Sequence, residues 1–169
     1  MRYSQIRSID ISNGVGVACS IFFQGCHLKC DNCFNPELWN FRGGKEFTRE
    51  VQNEFIELCK KPHIDCISIL GGEPTSQNCI EFSEFLDELQ SLNKPIFMWS
   101  GYTYEELIEM KKWYVLDKIN YLIDGRYVDE LRDYTLHLRG SSNQRIIDCR
   151  RSIDIFLKYN KIEPITIDF

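Results

Sequence analysis

This 169-residue sequence predicts an α/β fold of βα units on a parallel sheet, open rather than closed. Three observations point there. Short apolar runs of strand length alternate with amphipathic stretches of ten residues or more, the order expected of βαβ units. Right-handed crossovers would bring the C-terminal ends of all those strands to one side, and the unusual residues cluster at those ends: 25–33, 71–74, 100–101 and 124–125. The units are too few to close eight strands, so the expectation is a partial, open TIM-like barrel with its site at that face.

The elements follow in order. Residues 16–23 form the first predicted strand, with Val17, Cys19, Ile21 and Phe23 alternating with smaller or polar partners. A helix is predicted over 47–60, with Thr48 as N-cap, Val51, Phe55 and Leu58 on one face, and Pro62 as its stop. Residues 66–70 are a short buried strand ending in Gly71-Gly72-Glu73-Pro74. Residues 78–92 place Phe82, Phe85, Leu86 and Leu89 at helical spacing. Residues 95–99 are the next strand, and 103–113 a helix opened by Thr103-Tyr104-Glu105-Glu106, which has the form of a capping box. A further strand over 119–123 closes at Asp124-Gly125. Beyond it the pattern gives only a helix over about 150–159 and then an extended end.

Composition narrows the function classes. With 43% hydrophobic and 13% aromatic residues, the chain can bury an ordinary core. Its net charge of −5 argues against a nucleic-acid binder, which normally presents a basic surface. No apolar run approaches a membrane span and no targeting segment opens the chain, so no membrane partner and a cytoplasmic location are expected. Eight cysteines without a secretory signal fit a reducing compartment better than a disulfide framework.

The most informative stretch is Gly25-Cys26-His27-Leu28-Lys29-Cys30-Asp31-Asn32-Cys33, a C-x3-C-x2-C spacing. Three thiolates this close can grip three corners of a four-iron cubane. A closed electron-transfer cluster takes four, so the missing ligand leaves one iron open to chemistry and points to an enzyme. Zinc held by the same cysteines with His27 or His63 is the alternative, but zinc ligands usually come as two separated pairs and no second pair follows. Cys19, Cys59, Cys66, Cys79 and Cys149 lack any short spacing and suit buried, inert positions better than a second cluster. His27, His63 and His137 offer no clear general base.

Cys26, Cys30 and Cys33, followed by Gly71-Gly72-Glu73-Pro74, resemble the motifs of the radical S-adenosylmethionine superfamily. Within it, the chain is most similar to the activators of anaerobic ribonucleoside-triphosphate reductases. The matching segments are Asp10-Ile11-Ser12-Asn13-Gly14-Val15-Gly16, Gly25-Cys26, Trp99-Ser100-Gly101-Tyr102, Leu122-Ile123-Asp124-Gly125 and Arg139-Gly140-Ser141-Ser142-Asn143-Gln144-Arg145. They run in order over about residues 1–147, and the last is the most family-specific.

The resemblance implies a 4Fe-4S cluster on Cys26, Cys30 and Cys33 whose open iron chelates the methionine end of S-adenosylmethionine. One electron then cleaves a carbon–sulfur bond, and the 5′-deoxyadenosyl radical takes hydrogen from a glycine of the reductase large subunit. Backbone carbonyls around Gly71, Gly72 and Glu73 would accept from the cofactor's amino group, and Ser100 stands in a matching strand-end segment. Arg126 would pair with the methionine carboxylate, while Asp124 would orient the site or help hold a cation. The superfamily often has an aromatic residue before the third cysteine, beside the adenine. Here that residue is Asn32, and Phe34 is the candidate substitute. The implied electron donor is of flavodoxin or ferredoxin type. Residues 1–149 are expected to form the catalytic domain, with 150–169 a C-terminal helix and tail that is docked on it or faces the partner. Two other readings stay open: an activator of a different glycyl-radical enzyme, and a non-catalytic metal-binding adaptor.

Overall fold

The computed structural model describes residues 1–169. Eight strands join one sheet: β1 (Arg2–Asp10), β2 (Ala18–Phe23), β3 (Lys45–Glu46), β4 (Cys66–Gly71), β5 (Ile96–Trp99), β6 (Tyr121–Asp124), β7 (Arg145–Asp148) and β8 (Thr166–Ile167). Their order across the sheet is β3-β1-β2-β4-β5-β6-β7-β8, and the sheet is open, with β3 and β8 as its two edges. Five helices accompany them: α1 (Arg49–Cys59), α2 (Cys79–Gln90), α3 (Tyr104–Glu109), α4 (Trp113–Leu116) and α5 (Cys149–Tyr159).

The centre is the predicted part. β2, β4, β5 and β6 pair in parallel and are buried along nearly their whole length. The flanks correct the all-parallel expectation, because β1 and β7 pair antiparallel with β2 and β6. β1 also precedes the strand predicted as first. Its alternation is weak and most of its residues stay partly exposed, so only pairing with β2 defines it.

Strand alternation gives the sheet two unlike faces. Cys19, Ile21, Phe23, Ile67, Ile69 and Met98 point to the helices and meet Phe55, Phe82, Phe85, Leu86, Leu89 and Leu107 in one core. Phe23 anchors it through edge-on contacts with Phe47 and Phe82 at 5.5 Å each. Burying each such ring is worth roughly 1.5–3 kcal/mol. The opposite face carries small or polar residues at Ala18, Ser20, Cys66 and Ser68 and a smaller apolar cluster that includes Phe97, Ile123 and Ile146. The loop after β1 folds across it: the buried Asp10 accepts from the Ser12 and Asn13 N–H groups, and Ser68 donates to the Asn13 carbonyl. The chain terminus covers it further along, where Phe169 packs 5.6 Å from Phe97.

Two helix signals act as read: Thr48 caps α1, and Thr103 with Glu106 forms a complete capping box on α3. The structure adds Asn78 as the cap of α2. The helix expected over 103–113 is instead two, broken at Lys111, whose φ of 58° lies in the left-handed region. Asp148 caps α5, and the Ile165 N–H, just before β8, donates to Ser152 on that helix. No helix is long and apolar enough to cross a membrane.

Candidate active site

The parallel register aligns the ends of four strands along one edge, with Phe23 beside Gly71 and Trp99 beside Ile123. Because β7 runs the other way, Arg145 at its start lies beside Asp124 at the end of β6. The cysteine loop leaves β2 at this edge. It is pinned from below, where the Gly25 and Cys26 N–H groups donate to the Leu38 and Trp39 carbonyls. Lys29 and Asn32, each just before a cysteine, adopt left-handed φ values of 46° and 53°. Asn tolerates that conformation better than an aromatic residue does, which is a backbone reason for Asn at 32.

A cavity of about 710 Å³, counting its open mouth, lies against this loop. Cys26, Cys30 and Cys33 line it together with Leu28, Phe34, Gly71, Gly72, Trp99, Ser100, Gly101, Gly125, Tyr127 and Gln144, among others, and with no further Cys, His, Asp or Glu. The Asn35 N–H donates to the Cys33 sulfur at 3.5 Å, and the nearby backbone amides of Leu28 and Lys29 at Cys26 and of Tyr127 at Cys30 favour the thiolate forms. Burial raises the Cys26 thiol above its ordinary range, and Glu73 and Cys30 add to the rise; the Leu28 and Lys29 donors oppose it. Burial likewise raises Cys30, with Cys33 adding and Arg126 opposing.

The donor set suits an iron–sulfur cluster. N–H groups aimed at the sulfurs stabilise thiolates and tune such clusters. No group of three or more metal-ligating side chains is gathered about a single-ion point, as a zinc ion would need. His27 is exposed and stacks on Phe41 at 4.2 Å, and His63 lies at the far end of the sheet before β4.

The other candidate residues divide. Gly71, Gly72, Ser100 and Phe34 line the cavity; Glu73, Asp124, Arg126 and Asn32 do not. The two glycines have a local reason to be glycine. Gly71 has φ of 123°, and side chains at 71 and 72 would run into the Phe23 and Gly25 carbonyls. Their missing Cβ atoms let β4 seat the cysteine loop, with Gly72 and Glu73 N–H groups donating to Phe23 and Gly25 at 2.9 and 2.8 Å.

Glu73 is fully buried behind the wall, accepting from the Thr75 N–H and hydroxyl, the Ser100 hydroxyl and the Gly101 N–H. Asp124 is also buried and accepts from the Tyr104 N–H at 2.8 Å and from Arg145. Arg126 is exposed and makes no ion pair, and its carbonyl is held by Asn143. Asn32 donates to Asp129 at 2.7 Å.

Sequence reasoning missed three residues here. Arg145 forks between Asp124 and Glu105, tying β6, α3 and β7 together. Gln144 lines the cavity, accepts from the Gly140 N–H and donates to the Gly125 carbonyl. Tyr127 contributes its ring to the cavity wall. Arg145 and Gln144 belong to the segment singled out at 139–145, so that signal was present without a role attached.

A family described as a 4Fe-4S single cluster domain matches residues 12–147. An anaerobic ribonucleoside-triphosphate reductase-activating protein of Salmonella typhimurium is 36% identical over 149 residues, covering 85% of this chain and 96% of its own length. That of Escherichia coli is 35% identical over 149 residues, with coverage of 85% and 96%. That of Vibrio cholerae is 33% identical over 153 residues, with coverage of 86% and 97%. With three thiols on one cavity wall and this likeness over most of its length, the chain belongs to the family of anaerobic ribonucleoside-triphosphate reductase-activating proteins.

Proposed function

We propose that the chain activates an anaerobic ribonucleoside-triphosphate reductase by generating a glycyl radical in its large subunit, with Cys26, Cys30 and Cys33 holding a 4Fe-4S cluster. When bound, that cluster supplies one electron to the sulfonium of S-adenosylmethionine, releasing methionine and a 5′-deoxyadenosyl radical that takes hydrogen from the partner's glycine. The observation that carries the reading is a cavity lined by three thiols, with no fourth Cys, His, Asp or Glu among its lining residues. An open corner is what a chelating cofactor requires.

The chain's own residues have distinct tasks in this reading. Arg126, exposed and unpaired beside Cys30, presents a planar fork to the methionine carboxylate. Gly71 and Gly72 border the cavity with backbone rather than side chain, leaving carbonyls for the amino group. Glu73, Ser100 and Asp124 act from behind the wall by holding the strand ends in place. The sheet is taken as a partial barrel with its mouth open to the reductase. Residues 1–149 form the catalytic body and 150–169 a helix and tail docked on it. The electron donor is of flavodoxin or ferredoxin type, the location is cytoplasmic, and neither nucleic acid nor membrane is a partner.

The test is anaerobic incubation of the brown, reconstituted protein with reductant, S-adenosylmethionine and its cognate reductase, read by electron paramagnetic resonance. A glycyl-radical doublet is expected. An intact cluster that cleaves S-adenosylmethionine without producing the doublet would reassign the substrate, and a colourless zinc protein would leave only an adaptor. Cys26→Ala, Cys30→Ala and Cys33→Ala should each lose the cluster by iron and sulfide analysis. Alanine at Cys19, Cys59, Cys66, Cys79 or Cys149 should keep it.

A further inference from the structure

We propose that Asp168 and Phe169 are positioning residues for the hydrogen abstraction from the partner's glycine. They clamp the stretch 138–140, which stands between the thiol cavity and a second, larger space; this rests on the activation reading above. The second space is a groove of about 1500 Å³, counting its open mouth, lined by Arg7, Asn13, Phe22, Leu136 and Arg139 among others. It shares Leu70, Trp99 and Gln144 with the thiol cavity. A cofactor in the cavity and a partner segment in the groove therefore meet across one wall.

That wall is gripped from three sides. The Trp99 indole N–H donates to the Leu138 carbonyl, the Arg139 guanidinium to Asp168 and the Gly140 N–H to Gln144, each at 2.8 Å. Leu138 holds a φ of 61°, in the left-handed region that residues other than glycine seldom adopt. Such a conformation persists only where its surroundings over-determine it. Asp168 makes the one ion pair of Arg139, whose Nε is buried without a partner. The clamp is itself anchored. The Ile165 N–H donates to the buried Ser152, its carbonyl accepts from Asp148, and β8 pairs with β7. Phe169 packs 5.0 Å from Tyr121 and 5.6 Å from Phe97, whose ring lies 6.5 Å from Trp99. Trp99 is thus held through Leu138 on one side and through Phe97 on the other, and both routes lead to 168–169.

Stability does not explain the clamp. The Asp168 side chain is 79% exposed and Phe169 is 49% exposed, and an ion pair that open contributes little to folding. What the pair fixes is the wall between two reactants, where a misplacement of about 1 Å can cost orders of magnitude in rate.

The experiment compares cluster-loaded wild type with Asp168→Ala, Asp168→Asn, Phe169→Ala and the double alanine variant. Anaerobic hydrogen-exchange mass spectrometry follows residues 131–144. Glycyl radicals formed per 5′-deoxyadenosine released are counted at saturating reductase, and the half-saturating reductase concentration is measured beside them. The double variant should exchange the 131–144 segment severalfold faster and lower the radical yield per 5′-deoxyadenosine roughly tenfold. Its urea midpoint, S-adenosylmethionine affinity and half-saturating reductase concentration should match wild type. Asp168→Asn keeps an acceptor for Arg139 and should lie between.

An unchanged radical yield per 5′-deoxyadenosine in the double variant would overturn the proposal, whatever its exchange rate. So would a normal yield with a raised half-saturating concentration, which would move Asp168 and Phe169 to the docking surface. A lowered urea midpoint with normal yield would make the clamp merely structural and overturn it as well. A wild type that cleaves S-adenosylmethionine but forms no glycyl radical would instead remove the activation reading, and the clamp's task with it.

Discussion

At the end of β4 the Glu73 carboxylate is fully buried and meets only neutral donors, from Thr75, Ser100 and Gly101. At the end of β6 the Asp124 carboxylate is just as buried but meets the Arg145 guanidinium, which Glu105 shares. Both carboxylates staple loops around the same cavity. Glu73 ties β4 to the turn after β5, and Asp124 ties β6 to α3 and β7. The difference lies in what offsets the cost of removing a charge from water. Hydrogen bonds from neutral groups do not cancel it at Glu73, where burial holds the carboxyl above the usual glutamate range. At the other end the guanidinium carries a full opposite charge, is itself held well above the ordinary arginine range by Asp124 and Glu105, and depresses Glu105.

The largest break in this comparison should come from Arg145→Ala, which leaves Asp124 buried without its countercharge. Removing one partner of a buried pair costs on the order of 3–5 kcal/mol. The Arg145 side chain keeps 33% of its exposure, so about 3 kcal/mol is expected in anaerobic urea unfolding. Arg145→Lys should recover part of that, since one ammonium cannot fork across two carboxylates. Stability equal to wild type in Arg145→Ala would make the two strand ends alike.

Glu73→Gln should cost less, about 1–3 kcal/mol. The amide keeps one acceptor for Thr75 and Ser100 but turns an N–H group towards the Gly101 N–H. Its pH signature sharpens the contrast. Because the folded carboxyl is raised, the fold favours the protonated form, and the wild type's advantage over Glu73→Gln should shrink as pH rises from the ordinary glutamate value of 4.5 through the raised one. An advantage that grows over that window would mean Glu73 is stabilised as a charge, and the neutral-donor account would fail.

Glu105→Gln is the smallest change. Its side chain is 37% exposed, so the loss should be about 0.5–1 kcal/mol. The sign is opposite: Arg145 lowers this carboxyl, so its contribution is present above the ordinary glutamate value and lost as pH falls through the lowered one. Paired unfolding curves for the two glutamine variants, taken from acid to neutral pH, should therefore diverge in opposite directions from wild type.

Local chemistry alone determined much of this protein. Buried parallel strands over Ala18–Phe23, Cys66–Gly71, Ile96–Trp99 and Tyr121–Asp124 are legible as apolar runs because each is covered on both faces. The caps at Thr48 and Thr103 are legible because a helix end is satisfied by residues within three or four positions. The three cysteines are legible because one loop carries all of them. Tertiary structure decided the rest. β1 and β7 exist through antiparallel pairing with strands already in the sheet, and four residues such as Arg145–Asp148 carry too little periodicity to announce themselves. The direction of a buried carboxylate is likewise set by what lies across from it. Glu73 and Asp124 stand at strand ends facing the site in sequence, yet their side chains turn behind the wall because Ser100 is 27 residues away and Arg145 is 21. Those partners meet them only once the strand register is set, and a buried carboxyl group settles wherever its donors are.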